Sequence, residues 1–92
     1  MLQIEFLVKA DLDALCTDSQ LREDFFTEVR GFLQEQGLFA LVNNAAVQIL
    51  GKTEDIQVQD WQKTLNVNLV APFVLIQGLL SELQNAGGSV VN

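Results

Sequence analysis

Few residues in this chain are placed to do chemistry: Asn43 and Asn44, Asn66 and Asn68, and Asp11. Asn43-Asn44-Ala45-Ala46 follows the unbroken apolar run Leu38-Phe39-Ala40-Leu41-Val42. An apolar run without alternation reads as a strand buried on both faces of a sheet. Ligands bind at the carboxyl edge of an open parallel sheet, so an amide pair placed there is either a cofactor contact or a brace for the surrounding loops. Asn66 and Asn68 sit inside an otherwise apolar helical stretch, where Asn has poor propensity and costs free energy to bury unless it is bonded. Pro72 comes four residues after Asn68. Because proline has no N–H and its ring crowds the carbonyl four residues back, the Asn68 carbonyl loses its helical partner and the helix bends there. A free carbonyl beside a side-chain amide is a site for a bound water. On spacing alone, a Pro-kinked packing helix with a satisfied amide is the favoured reading. Asp11 reads by itself as a solvated turn residue.

The elements that must position these residues follow from periodicity. Leu2, Ile4, Phe6, Val8 and Ala10 alternate with Gln3, Glu5, Leu7, Lys9 and Asp11, which predicts a strand with one wetter face. Thr17-Asp18-Ser19-Gln20 has the capping-box form and predicts a helix start. Leu21, Phe25, Val29, Phe32 and Leu33 form the apolar stripe of that helix, and Gly37 supplies a left-handed cap before the strand Leu38 to Val42. Asp18, Glu23, Asp24 and Glu28 are a solvated face that complements the helix dipole, not a catalytic carboxylate pair. A loop from Val47 to Gln57 leads to a long helix from Val58 to about Asn85, with Trp61, Leu65, Leu69, Phe73, Ile76, Leu80 and Leu83 on one face. Val67, Val70, Val74, Leu75 and Leu79 broaden this stripe beyond what one sheet face requires, which predicts contact with another subunit. Asn85-Ala86-Gly87-Gly88 then makes a tight turn into a strand at Ser89-Val90-Val91-Asn92. The order strand-helix-strand-helix-strand, with helix-sized crossovers, predicts one α/β unit over 1–92 with parallel, right-handed connections.

Composition narrows the function classes. Nearly half of the 92 residues are hydrophobic and the net charge is -7, with Lys9, Arg22, Arg30, Lys52 and Lys63 scattered. No basic patch exists to neutralise phosphates, so nucleic acid is not an expected partner. Cys16 is the single cysteine, which allows no internal disulfide and fits a reducing compartment. The longest apolar run, Leu69 to Ile76, contains Pro72 and is too short to span a bilayer. With no leader-like opening either, the sequence predicts a soluble, cytoplasmic protein without a membrane partner.

Taken together, the motifs resemble the short-chain dehydrogenase/reductase family. Asn43-Asn44-Ala45-Ala46 is similar to the family's Asn-Asn-Ala-Gly signature, with Ala46 in place of the usual glycine. Asp11-Leu12 resembles the end of its third strand, and Asp60-Trp61, Asn66-Val67-Asn68-Leu69 and Ala71-Pro72-Phe73 resemble its fourth helix. Gly87-Gly88-Ser89-Val90-Val91-Asn92 resembles its fifth strand. The resemblance implies a partial three-layer Rossmann-like parallel sheet and an NAD- or NADP-dependent oxidoreductase acting on a small alcohol or carbonyl. It further implies a cofactor site at Asp11, Leu12, Asn43, Ala45 and Ala46, with Asp11 bonding the adenine amino group. Asn68 would hold a proton-relay water on its backbone carbonyl. Asn66 receives no role, and no metal ligands are assigned.

Much of the family's machinery falls outside these residues. The chain has no tyrosine, whereas the family's chemistry uses a Tyr-x-x-x-Lys pair, and its catalytic serine would lie just past Asn92. The six glycines form no glycine-rich phosphate-binding turn, so no backbone approach to a pyrophosphate is encoded. These features predict a central segment, inactive alone. A second reading is a non-catalytic relative that self-associates through the helix around Trp61 to Leu83. A flavodoxin-like or receiver-type domain has thinner support in Asp11-Leu12-Asp13. Without the family's first two strands, the sequence further predicts an oligomer, a marginal fold or a nonstandard strand order.

Overall fold

The computed structural model describes residues 7–92. Most of the expected amino-terminal strand, residues 1–6, lies outside the described residues, and the remainder of that segment carries no strand. Among the described residues, regular structure begins where Asp11 turns its carboxylate onto the next turn: Oδ1 accepts from the Asp13 and Ala14 amides at 2.9 and 3.4 Å. This caps helix α1, Leu12–Thr17.

Helix α2 covers Ser19–Leu33, one residue later than the capping box implies. Thr17 still belongs to α1 and its hydroxyl donates back to the Asp13 carbonyl at 3.4 Å. Asp18, extended between the two helices, becomes the cap instead, accepting from the Leu21 amide at 3.1 Å. Gln20 donates forward to Asp24 at 2.9 Å rather than back to the cap. The left-handed cap moves as well. Gln34 (φ 55°) ends α2, while Gly37 (φ 79°) reverses the chain a few residues later, which brings the Leu38 amide to the Glu82 carbonyl at 2.9 Å.

Strand β1, Ala40–Val42, pairs in parallel with β2, Ser89–Val91, in the register Ala40 to Ser89, Leu41 to Val90 and Val42 to Val91. The crossover between them is helical, as the pattern predicts. The strands are not buried on both faces, however: Phe39 is 79% and Val42 62% exposed. Among the described residues the sheet has two strands, so nothing flanks or covers the outer surfaces that make an inner strand apolar throughout. Gly88 permits the close approach of the two segments, because a Cβ there would strike the Leu38 and Phe39 carbonyls.

The crossover differs from a single bent helix. It comprises α3 (Val58–Leu65), a π turn (Asn66–Val70), α4 (Ala71–Gly78) and α5 (Leu80–Ala86). The proline is absorbed without a sharp kink. The wider turn lets the Ala71 amide reach back to the Asn66 carbonyl, and Pro72 then falls in the first turn of α4, where no donor is required. The sharp bend, 61°, comes later, where Leu79 leaves the helical region (φ -111°, ψ 14°). No single helix among the described residues is long and apolar enough to cross a membrane.

The expected apolar stripe divides between two faces of the crossover. Phe26, Val74 and Leu79 form the buried core, with Val29, Leu38, Val70 and Leu75 packed against them. The residues that seemed surplus on sequence therefore serve the chain's own core, while Trp61, Leu69 and Phe73 stay 56%, 66% and 60% exposed.

Arg30 of α2 secures the bend. Its Nη2 donates to the Gly78 carbonyl and its Nε to Glu82 Oε1 at 2.7 Å, with the guanidinium lying over the Phe26 ring. Burial pushes the Glu82 carboxyl up, but the Arg30 hydrogen bond, a backbone hydrogen bond and the Arg30 charge together hold it below its ordinary value. A lowered carboxyl pKa contributes stability that is present above the unfolded-state value and is lost as pH falls through the folded one. The stability gap between the unmutated chain and Glu82→Gln, read by urea unfolding, is expected to shrink between about pH 5 and pH 3. A gap that stays constant over that range would show that the ion pair contributes nothing.

Candidate functional site

A cleft of about 200 Å³ opens at the carboxyl end of β1, lined by Leu12, Val42, Asn43, Asn44, Ala45, Val67, Ala71, Pro72 and Leu75. Its walls come from three places in the chain: the start of α1, the end of β1 with its following loop, and the face of the crossover around the π turn. Its lining side chains are apolar except for the amides of Asn43 and Asn44, a mostly apolar surface with a few polar groups of the kind that small-molecule sites show.

Each expected residue has a definite place. Leu12, Asn43 and Ala45 line the cleft together. Asn43 also braces the strand ends, its amide N–H donating to the Val91 carbonyl and its Nδ2 to Asn92 Oδ1, both at 2.7 Å. Asp11 adjoins Leu12, yet it lines a separate depression of about 450 Å³ with Lys9, Asp18 and Phe25, and its Oδ1 is engaged in capping α1. Ala46 lies in the loop beyond Ala45, outside the lining.

Asn68 is joined to that same loop. Its Nδ2 donates to the Val47 carbonyl and its Oδ1 accepts the Val47 N–H, each at 2.8 Å. Only a side chain that donates and accepts from one planar group can satisfy both backbone groups of a single residue. The bonds fasten the segment after Asn43-Asn44-Ala45-Ala46 to the π turn and so fix the mouth of the cleft. Pro72, four residues on, cannot donate to the Asn68 carbonyl.

Sequence reasoning assigned nothing to Asn66, which is buried. Its Nδ2 donates to Asp13 Oδ1 at 2.7 Å, and its Oδ1 accepts from Gln62 Nε2 at 3.0 Å. Its carbonyl lies 3.5 Å from the Cys16 thiol, which also points to the Leu12 carbonyl at 3.3 Å. Burial and then the Asp13 charge push the Cys16 thiol up, with Arg22 opposing; the group is a protonated donor at neutral pH, not a nucleophile. The available signal was the cost of a buried amide, which demands partners somewhere.

The model of the short chain dehydrogenase family matches residues 6–92. This chain belongs to the short-chain dehydrogenase/reductase family. Protein FixR of Bradyrhizobium diazoefficiens is 40% identical over 81 residues, covering 82% of this chain and 29% of that protein. Human retinol dehydrogenase 5 is 42% identical over 77 residues, covering 83% of this chain and 24% of that protein. The chain thus spans about a quarter of the length of these curated relatives. Among solved structures, a short-chain dehydrogenase/reductase oxidoreductase from Brucella ovis, in complex with partially ordered NAD, superposes with a TM-score of 0.79 at 32% identity. That match covers 92% of this chain and 40% of the other. The reductase fold explains the two-stranded parallel sheet and its helices as part of a Rossmann-like α/β unit.

The Asn68 clasp gives a local expectation for this family member. Asn68→Leu keeps much of the bulk but removes both the acceptor of the Val47 N–H and the donor to the Val47 carbonyl. Exchange of the Val47 amide, followed by NMR, is expected to accelerate by about tenfold or more, the effect of losing a hydrogen bond worth about 1.4 kcal/mol. Unchanged exchange would show that the loop is held by other contacts.

Proposed function

We propose that this segment supplies the adenine side of a nicotinamide cofactor site and one position of the proton relay in an NAD- or NADP-dependent oxidoreductase that interconverts an alcohol and a carbonyl. The observation that carries the reading is the cleft at the end of β1, where Leu12, Asn43 and Ala45 meet and the Asn68 clasp holds the adjoining loop. Family membership supports the reaction class, and the NAD in the Brucella ovis relative supports the cofactor class. Asp11 is the proposed adenine partner through its carboxylate, Ala46 borders the cofactor through its backbone, and the Asn68 carbonyl holds the relay water. When bound, the nicotinamide would carry the hydride, while the residues of this segment would hold the adenine end of the cofactor.

In this reading the 92 residues do not turn over substrate by themselves. They contain no tyrosine to exchange the substrate proton and no glycine-rich turn to receive the pyrophosphate. The charge of -7 and single cysteine support a cytoplasmic protein that does not engage nucleic acid. In a complete reductase carrying this segment, Asn68→Ala is expected to lower kcat by about a hundredfold and to change the KM for NADH or NADPH far less. Unchanged turnover would remove Asn68 from the relay, and turnover by the 92 residues alone would overturn the division of labour.

A second reading rests on the exposed apolar side chains Trp61, Leu69, Phe73 and Leu80 of the crossover, since exposed apolar surface marks an interface where it gathers. We assign it to self-association with a second copy of the same helix face. Sedimentation should show dimers that Leu69→Ala with Phe73→Ala converts to monomers. Leu75 and Leu79 are unsuited to this test because they pack inside the chain. A monomeric unmutated chain at high concentration would end the reading.

A further inference from the structure

Asn66 is the only buried polar residue among the described residues, and its partners point to one task. A side-chain amide out of water loses free energy unless its groups are bonded. Here the donor meets a carboxylate, Asp13, at 2.7 Å, the acceptor meets Gln62 at 3.0 Å, and the carbonyl takes the Ala71 amide that closes the π turn. Asp13 and Cys16 lie about one turn apart on α1, and both reach Asn66. Helix α1 is thereby bound at two points to the first residue of the π turn.

The neighbours of this contact are the residues that matter to the cleft. Leu12, a lining residue, precedes Asp13. Asn68, which clasps Val47, lies two positions beyond Asn66. Apolar packing would hold α1 against the crossover but would not fix its slide or rotation, whereas a charge-assisted hydrogen bond has a length and a direction. We propose that Asn66 and Asp13 form a positioning latch that sets the Leu12 wall of the cleft against the π turn and its Asn68 clasp. The importance of that spacing for a nucleotide rests on the cofactor reading above; the latch itself does not.

A donor–acceptor exchange separates positioning from general packing. Asn66→Asp places a carboxylate against Asp13, and adding Asp13→Asn restores a donor–acceptor pair with its direction reversed. Amide exchange by NMR, without cofactor, reads the latch whether or not the cleft takes a nucleotide. In Asn66→Asp, the amides of Leu15 and Val47 are expected to exchange about tenfold faster or more, as for one lost hydrogen bond, while those of Phe26 and Val29 in α2 keep their rates. The double variant should return Leu15 and Val47 to within about threefold of the unmutated chain. Should Asn66→Asp fail to fold, Asp13→Ala at the half-buried partner is expected to give the same local pattern. Failure of the exchanged pair to restore protection, or acceleration spread evenly through α2, would overturn the proposal.

Discussion

A proline inside a long apolar helix leaves one carbonyl without a donor and brings a ring against it, and the surroundings of the cleft are arranged about that constraint. The crossover meets it with a π turn, which widens the backbone over Asn66–Val70 and hands the Ala71 amide to the Asn66 carbonyl. Two side chains of this one turn then leave in different directions. Asn66 reaches α1 through Asp13, and Asn68 reaches the loop after β1 through Val47. Segments distant in the chain are joined at five consecutive residues, and a π turn used this way is a typical accompaniment of a functional site.

The choice of asparagine at both positions follows from what each partner presents. Val47 offers an N–H and a carbonyl side by side, a pair that neither a carboxylate nor a hydroxyl matches in one planar group. Asp13 offers an acceptor and Gln62 a donor, so Asn66 again needs both functions. Amides gain or lose no proton near neutral pH, so both asparagines keep the same donors and acceptors there.

The parts legible in the sequence are those fixed locally. The apolar run ending at Asn43-Asn44 announced the end of a strand, Gly87-Gly88 announced the turn, and Asn68 with Pro72 announced a disturbed helix, each within a few neighbouring residues. Asn66 was illegible because its decisive partner is Asp13, more than fifty positions away. The break in the long apolar helix was illegible for another reason. Its bend falls at Leu79, which no proline marks, and it depends on Arg30 of α2 grasping the Gly78 carbonyl and Glu82. Strand burial was misjudged because an apolar run reports the surroundings a strand is suited to, while exposure reports those that the described residues supply.

That last difference bears on what holds the cleft in place. Phe39, Val42 and Val91 remain exposed. A pair of three-residue strands with little burial has almost no stability of its own. Its register must come from the helices. The Leu38 amide bonds the Glu82 carbonyl of α5 before β1 begins, and the Gly88 amide bonds the Leu83 carbonyl before β2 begins. Both strands are thus launched from the same helix, and the side-chain contact of Asn43 with Asn92 closes their far ends. The edge that carries the Asn43-Asn44 pair is positioned through α5, which Arg30 anchors to α2 and thus to the Phe26 core.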